Sequence, residues 1–234
     1  MNNPFKTMIG AAAMTAAVAA HAEPTRLVTQ ELGRVAPADS VSADLEYLFL
    51  STGITGGLRI GAFGGEVLLN ARNTAALDGS DLAVTNLGYK APLGPGLAVY
   101  GLLSYARVGA PGGGNVSATE FGMGLAYTLR QGALTVNLNP ELLTDDDNVF
   151  RGGDTTIFIR GGALFPLPVK MRGKLSLLGE VTLENSDFLD TTINLGARWE
   201  PRKDVTIDFV IFNDQGDAGD VQGIPGALKV NIAF

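Results

Sequence analysis

The sequence predicts an all-β fold, a closed antiparallel transmembrane β-barrel of about twelve strands, with about ten as the lower count. Three observations lead to it. From Ser42 onward, segments of roughly ten residues alternate apolar and polar side chains, the period of a strand. The connections between them alternate in kind, short ones with longer, Asp-rich ones. No segment carries a convincing 3.6-residue period, and the chain holds 31 Gly, in keeping with many turns.

The chain opens on a targeting signal. Lys6 precedes the apolar run MIGAAAMTAAVAA, and Ala20-His21-Ala22 is an A-x-A site. The run has 13 residues, too few for the roughly 20 that a spanning helix needs. Residues 1–22 therefore read as a signal peptide cleaved before Glu23. Residues 23–41, EPTRLVTQELGRVAPADSV, are polar, hold two Pro and show no strand pattern. They read as a periplasmic leader or linker, with a small plug as the alternative.

Residues 42–234 are the barrel. Its alternating segments fall near 42–51, 54–63, 66–74, 81–90, 96–108, 116–130, 133–142, 155–165, 171–184, 190–200, 204–213 and 225–234. The short connections are Gly64-Gly65, APLGP (91–95), Gln131-Gly132, PLPVK (166–170) and PRK (201–203). The other set is LDGS (77–80), GAPGGGN (109–115), TDDDNVFRGGD (144–154), NSDFLD (185–190) and NDQGDAGDVQG (213–223), with a short first member near Thr52-Gly53. Short periplasmic turns and long outer loops place both termini in the periplasm.

Composition removes several function classes. The chain has no Cys, and its one His, His21, leaves with the signal. Disulfides, a lipid anchor on an N-terminal Cys and Ser-His or Asp-His catalysis are all excluded for the mature chain. Without Lys6 it has 16 basic and 24 acidic residues, a net charge of −8, and nucleic-acid binding would need a basic surface. No enzymatic activity, no cofactor and no specific metal site is expected. Glu180 and Glu184, four apart on one strand, stand roughly 13 Å apart, too far for a glycosidase pair. The clusters Asp145, Asp146, Asp147 and Asp214, Asp217, Asp220 match no ordered calcium loop. They read as solvated outer loops that divalent ions bridge to lipopolysaccharide phosphates.

Alternation sorts the faces. Leu175, Leu177, Val181 and Leu183 oppose Lys174, Ser176, Glu180, Thr182 and Glu184, with Leu178 off pattern. Phe121, Met123, Leu125, Tyr127 and Leu129 oppose Glu120, Gly122, Gly124, Thr128 and Arg130. The expected lumen-lining charges are Asp44, Glu46, Arg59, Glu66, Arg72, Glu120, Arg160, Lys174, Glu180, Glu184, Arg198, Asp208 and Lys229. Seven are acidic and six basic, so a lumen they line has weak ion selectivity. Tyr89, Tyr127, Trp199 and Phe234 are placed for a periplasmic aromatic girdle, and Tyr105 for the outer one. An inward Tyr100 is expected to pack over Gly122 and Gly124.

The chain ends LKVNIAF, where Leu228, Val230, Ile232 and Phe234 alternate with Lys229, Asn231 and Ala233. This resembles the terminal strand of Gram-negative outer-membrane barrels. The resemblance implies an outer-membrane location and recognition of Leu228, Val230, Ile232 and Phe234 by the barrel-assembly machinery. It also implies outer-membrane lipids and lipopolysaccharide as surroundings. A final strand of this kind pairs with the first, near Asp44–Leu50. In size and architecture the chain resembles the porins that import acidic oligosaccharides, but that family's strongly basic lumen is not matched by this near-balanced charge.

The expected function is a narrow passive channel for small solutes. Two alternatives remain at this level: a closed structural or adhesive barrel displaying acidic loops, and a secreted or periplasmic β-sandwich binding protein.

Overall fold

A computed structural model describes residues 26–27, 30–49, 53–75, 81–110, 114–145, 155–185, 191–214 and 226–234. Residues 1–22, where a signal peptide is expected, most of the Asp-rich loops and residues 23–25 and 28–29 lie outside this range. The strands are β1 (Val41–Leu48), β2 (Gly53–Ala62), β3 (Gly65–Ala75), β4 (Asp81–Gly94), β5 (Leu97–Ala110) and β6 (Gly114–Gln131). They continue with β7 (Leu134–Asp145), β8 (Thr155–Pro166), β9 (Lys174–Glu184), β10 (Thr191–Arg202), β11 (Val205–Asp214) and β12 (Ala227–Ala233).

Each strand pairs antiparallel with its neighbours in sequence, and β12 returns to β1 in one closed barrel. Ser42 through Leu48 face Ala233 through Ala227. Phe234 extends the seam, its N–H donating to the Val41 carbonyl at 2.7 Å. Closure leaves no ladder edge unpaired, the condition for a sheet in hydrocarbon. The twelve strands settle the count against ten, and a single closed sheet excludes the two-sheet sandwich.

Several boundaries depart from the sequence pattern, three of them for visible local reasons. The β2–β3 hairpin turns on Phe63 and Gly64, one residue earlier than expected, with φ of 55° and 76°. Positive φ at both central residues is the primed turn whose twist matches a hairpin. β4 runs past Lys90 to Gly94, and a register shift between Pro92 and Gly94 absorbs the missing proline donor. β9 begins at Lys174 rather than 171. Pro166 is the last rung of β8, opposite Ser176, and past Pro168 the connection turns on itself, Val169 N–H donating to Leu167 O at 2.9 Å and Met171 N–H to Val169 O at 3.1 Å.

The distribution of burial is inverted relative to a soluble protein. On β6, Phe121, Met123, Leu125, Tyr127 and Leu129 are about half exposed, while Ala118, Glu120, Gly122, Gly124 and Ala126 are buried. Around the barrel Leu45, Leu87, Leu103, Ile159, Leu177 and Phe209 are exposed, yet Glu66 and Lys90 are 0% exposed and Arg59 and Arg198 2%. A continuous apolar exterior suits lipid, and the polar groups turn inward to one another.

The interior is not empty. Leu27 and Leu32, from the segment before β1, join Leu48, Leu164, Leu178, Val210 and Ala227 in a buried apolar cluster. This accounts for Leu178. It faces inward like its in-phase neighbours Ser176 and Glu180, and it meets apolar partners there.

Candidate functional site

The lumen is the candidate site, and its wall carries paired charges. Arg198 on β10 and Asp208 on β11 are register partners. The guanidinium makes two hydrogen bonds to the carboxylate, at 2.6 and 2.7 Å. Such a fork fixes both groups with geometry a single contact lacks. Glu66 on β3 faces Lys90 on β4 by register, and they form an ion pair at 2.9 Å. Glu66 also meets Arg59 of β2 at 3.3 Å. On the other side Arg160 of β8 reaches Glu141 of β7 at 2.8 Å. Tyr100 donates to the same carboxylate, and Asn139 donates to the Tyr100 hydroxyl at 2.7 Å.

Tyr100 lies over glycine, as its sequence position suggests. It is the register partner of Gly124, and a Cβ on Gly124 would overlap its ring. The Gly is required here by close approach, not by backbone conformation. Gly122, the other expected partner, faces Leu102 in register.

Across this wall lies the segment before β1. Glu31 accepts from Arg59 at 2.6 and 2.9 Å and from Lys90 at 3.0 Å. Its own N–H donates to Asn139 Oδ1 at 3.2 Å. Gln30 donates to the Gly161 carbonyl at 2.7 Å, and Asn137 donates to the Gln30 amide oxygen at 3.1 Å and the Glu31 carbonyl at 3.0 Å. Gly33 N–H donates to Thr128 Oγ1 at 2.7 Å, so close to the wall that a Cβ would overlap the Gly96 carbonyl. Arg26 offers its carbonyl to Arg198 at 3.3 Å, and Leu27 offers its own to Lys229 at 3.4 Å. These contacts reach β2, β4, β6, β7, β8, β10 and β12, so the segment crosses the bore. What space remains among Arg26, Asp44, Arg59, Arg198, Asp208 and Lys229 holds little more than one water.

Glu31 lies in the bore but outside the spanning strands. Burial raises its pKa, while Arg59 and Lys90 lower it by more, so the carboxyl is held well below the usual carboxylate range.

The expected lumen residues fall in different places. Asp44, Arg59, Glu66, Glu120, Glu180, Arg198, Asp208 and Lys229 are buried inside. Glu46, Arg72, Arg160 and Glu184 are half-buried on the same inward phase. Lys174 is largely exposed at the barrel's end, 3.4 Å from Glu200. Glu180 accepts from Asn194 at 3.2 Å rather than meeting Glu184. Of the girdle, Tyr89, Tyr105 and Tyr127 are exposed outward. Trp199 is half-buried, its indole N–H donating to the Arg172 carbonyl at 2.9 Å, and Phe234 is also half-buried. Leu228 and Ile232 are exposed and Val230 half-buried. Among the described residues no group of three His, Cys, Asp or Glu could hold a metal. The side chains of the two Asp clusters lie outside the described residues.

Sequence reasoning missed Lys90, Glu141 and Glu31. Glu141 follows Asn137 and Asn139 in clean alternation with Val136, Leu138 and Leu142, a legible signal. Lys90 was obscured by the weak alternation of its strand. Glu31 has no periodic signal, since it belongs to no strand.

No protein-family model matches the chain, and no curated protein matches it. Solved structures do. The chain is similar to the KdgM porin, with a TM-score of 0.52 and 11% identity over 82% of this chain and 98% of that one. It is similar to the KdgM porin in complex with disordered oligogalacturonate, at a TM-score of 0.51 and 10% identity over 83% and 98%. For the NanC porin the TM-score is 0.48 at 11% identity, over 83% and 98%. The likeness is one of fold: like the KdgM porin, the chain is a transmembrane-type antiparallel β-barrel.

Proposed function

We propose that this chain is a narrow outer-membrane channel for small solutes, exported by a cleaved signal peptide and inserted by the barrel-assembly machinery. The observation that carries the reading is the inversion of the sheet: charged groups face the bore and apolar groups face outward. The two wall charges added by the fold, Lys90 and Glu141, have opposite sign. With Lys174 at the barrel's end, eight acidic and six basic groups line the wall, so ion selectivity is weak with a slight preference for cations. Lipopolysaccharide and bilayer lipids contact the outer surface. No enzymatic role is proposed, since the mature chain has neither His nor Cys.

The test is solute entry into liposomes holding the folded protein. Small neutral sugars enter faster than into empty liposomes, and large ones do not. Equal rates with and without protein would count against a channel. The assembly role of the terminal strand has its own test. Deleting Phe234 lowers the yield of heat-modifiable barrel in the outer membrane, and an unchanged yield would remove that role.

One observation favours a second reading. The segment crossing the bore suits a permanently closed barrel with a structural or adhesive role. That protein would pass no solute in any form, including one without the segment.

A further inference from the structure

We infer that Gln30–Ala36, together with Arg26 and Leu27, is a releasable plug, and that Glu31 is its latch. This rests on the channel reading above and adds the regulation of that bore.

The barrel closes without the plug. All twelve ladders run strand to strand, and no plug residue supplies a rung. The plug is held by side chains and single backbone groups, so it can leave without breaking the wall. The polar groups it would uncover, Thr128, Asn137 and Asn139, hydrogen-bond equally well to water.

Among the contacts described above, the charged anchorage falls on one residue. Glu31 takes three charge-assisted hydrogen bonds, two from Arg59 and one from Lys90, at 2.6–3.0 Å. The plug contacts described above from Arg26, Leu27, Gln30 and Gly33 are bonds between neutral groups, or bonds donated to backbone carbonyls. Bonds to a charged group are worth about twice a neutral one.

The receptor for the latch is built to survive its release. Glu66 lies 3.3 Å from Arg59 and 2.9 Å from Lys90. With Glu31 in place, two cations face two carboxylates. Without it they still face one, and the opened bore admits water to the rest. A buried cation left with no counterion would make release prohibitive. Glu66 removes that obstacle. Leu27 and Leu32, in the apolar cluster with Leu48 and Leu178, favour return of the plug, which makes closure the resting state.

Single-channel recording in planar bilayers tests this with the mature full-length chain. The sequence contains no Cys, so a Q30C/N137C pair gives one addressable site. It lies where Asn137 now donates to Gln30 at 3.1 Å. Bridging the two thiols with a short bifunctional reagent should lower the open fraction at least tenfold relative to the unbridged variant. E31Q, which keeps the shape and removes the charge, should raise the open fraction by about tenfold over the parent. Equal conductance of bridged and unbridged protein would overturn the plug and leave the channel reading standing. An E31Q open fraction equal to the parent's would overturn the latch. Silence of every form, including one beginning at Pro37 and verified as folded by heat-modifiability, would overturn the channel reading itself.

Discussion

The Arg198–Asp208 pair and the Glu31 cluster occupy one lumen and are built by different rules. Arg198 and Asp208 face each other across β10 and β11 because the register puts them there. The Glu66–Lys90 pair obeys the same rule on β3 and β4. Glu31 belongs to no strand, yet it inserts between Arg59 and Lys90 with hydrogen bonds as short as those of the wall. Pairs made by register are part of the barrel and break only when it unfolds. A contact made by a residue outside the sheet can break while every ladder stays intact.

The largest expected effect comes from breaking a wall pair. Asp208→Ala leaves Arg198 buried without its fork and should cost about 3–5 kcal/mol, read from the urea midpoint of the detergent-folded barrel. Glu31→Ala should cost less than about 1.5 kcal/mol, the scale of a single net hydrogen bond, because Glu66 still faces both cations. Equal losses would erase the distinction between wall and plug.

A smaller effect is expected where the wall is tight without charge. Gly124→Val forces a side chain into the Tyr100 ring and should destabilise by about 1–3 kcal/mol. Gly101, one residue after Tyr100, has nothing within 3.4 Å of the position its Cβ would take. Gly101→Val should change the midpoint by less than about 0.5 kcal/mol. Matching losses at the two sites would refute the Tyr–Gly packing as a stabilising contact.

The smallest effect is a response to acid, and it separates plug from wall by pH alone. Glu31 is faced by Arg26 of its own segment, Arg59 of β2, Glu66 of β3, Lys90 of β4 and, further off, Asp44 of β1. Its folded pKa lies well below its unfolded one. The contribution of its charge is therefore complete above the ordinary carboxylate value of about 4.3 and is lost only as pH falls through the lowered folded value. The open fraction should stay flat from neutral pH to about 4.3 and rise below it. A rise already near pH 6 would assign the titration to a different group.

Much of the barrel was legible in the sequence, because a closed sheet obeys one period and one alternation of connections. Each of the twelve segments has its strand, and the seam between the first and last is where LKVNIAF suggests. The inward placement of Arg59, Arg198, Asp208 and Lys229 follows from the same period. Strand ends were less legible at Pro92, Pro166 and Pro168, where missing donors are absorbed by a bulge in one case and a turn in the other. The occupant of the bore was least legible. Arg26 through Ala36 make contacts that no period describes, with wall residues such as Arg59, Asn137 and Arg198. The leader's polarity is equally compatible with solvent. Leu178 was a visible clue, an apolar residue in an inward phase with no stated partner.

The most direct test is the single-channel conductance of the folded barrel with and without its leader. The form beginning at Pro37 should show discrete steps at once, and the chain from Glu23 should show the same steps more rarely. A leaderless barrel that is folded, inserted and silent would contradict an aqueous bore beneath the plug.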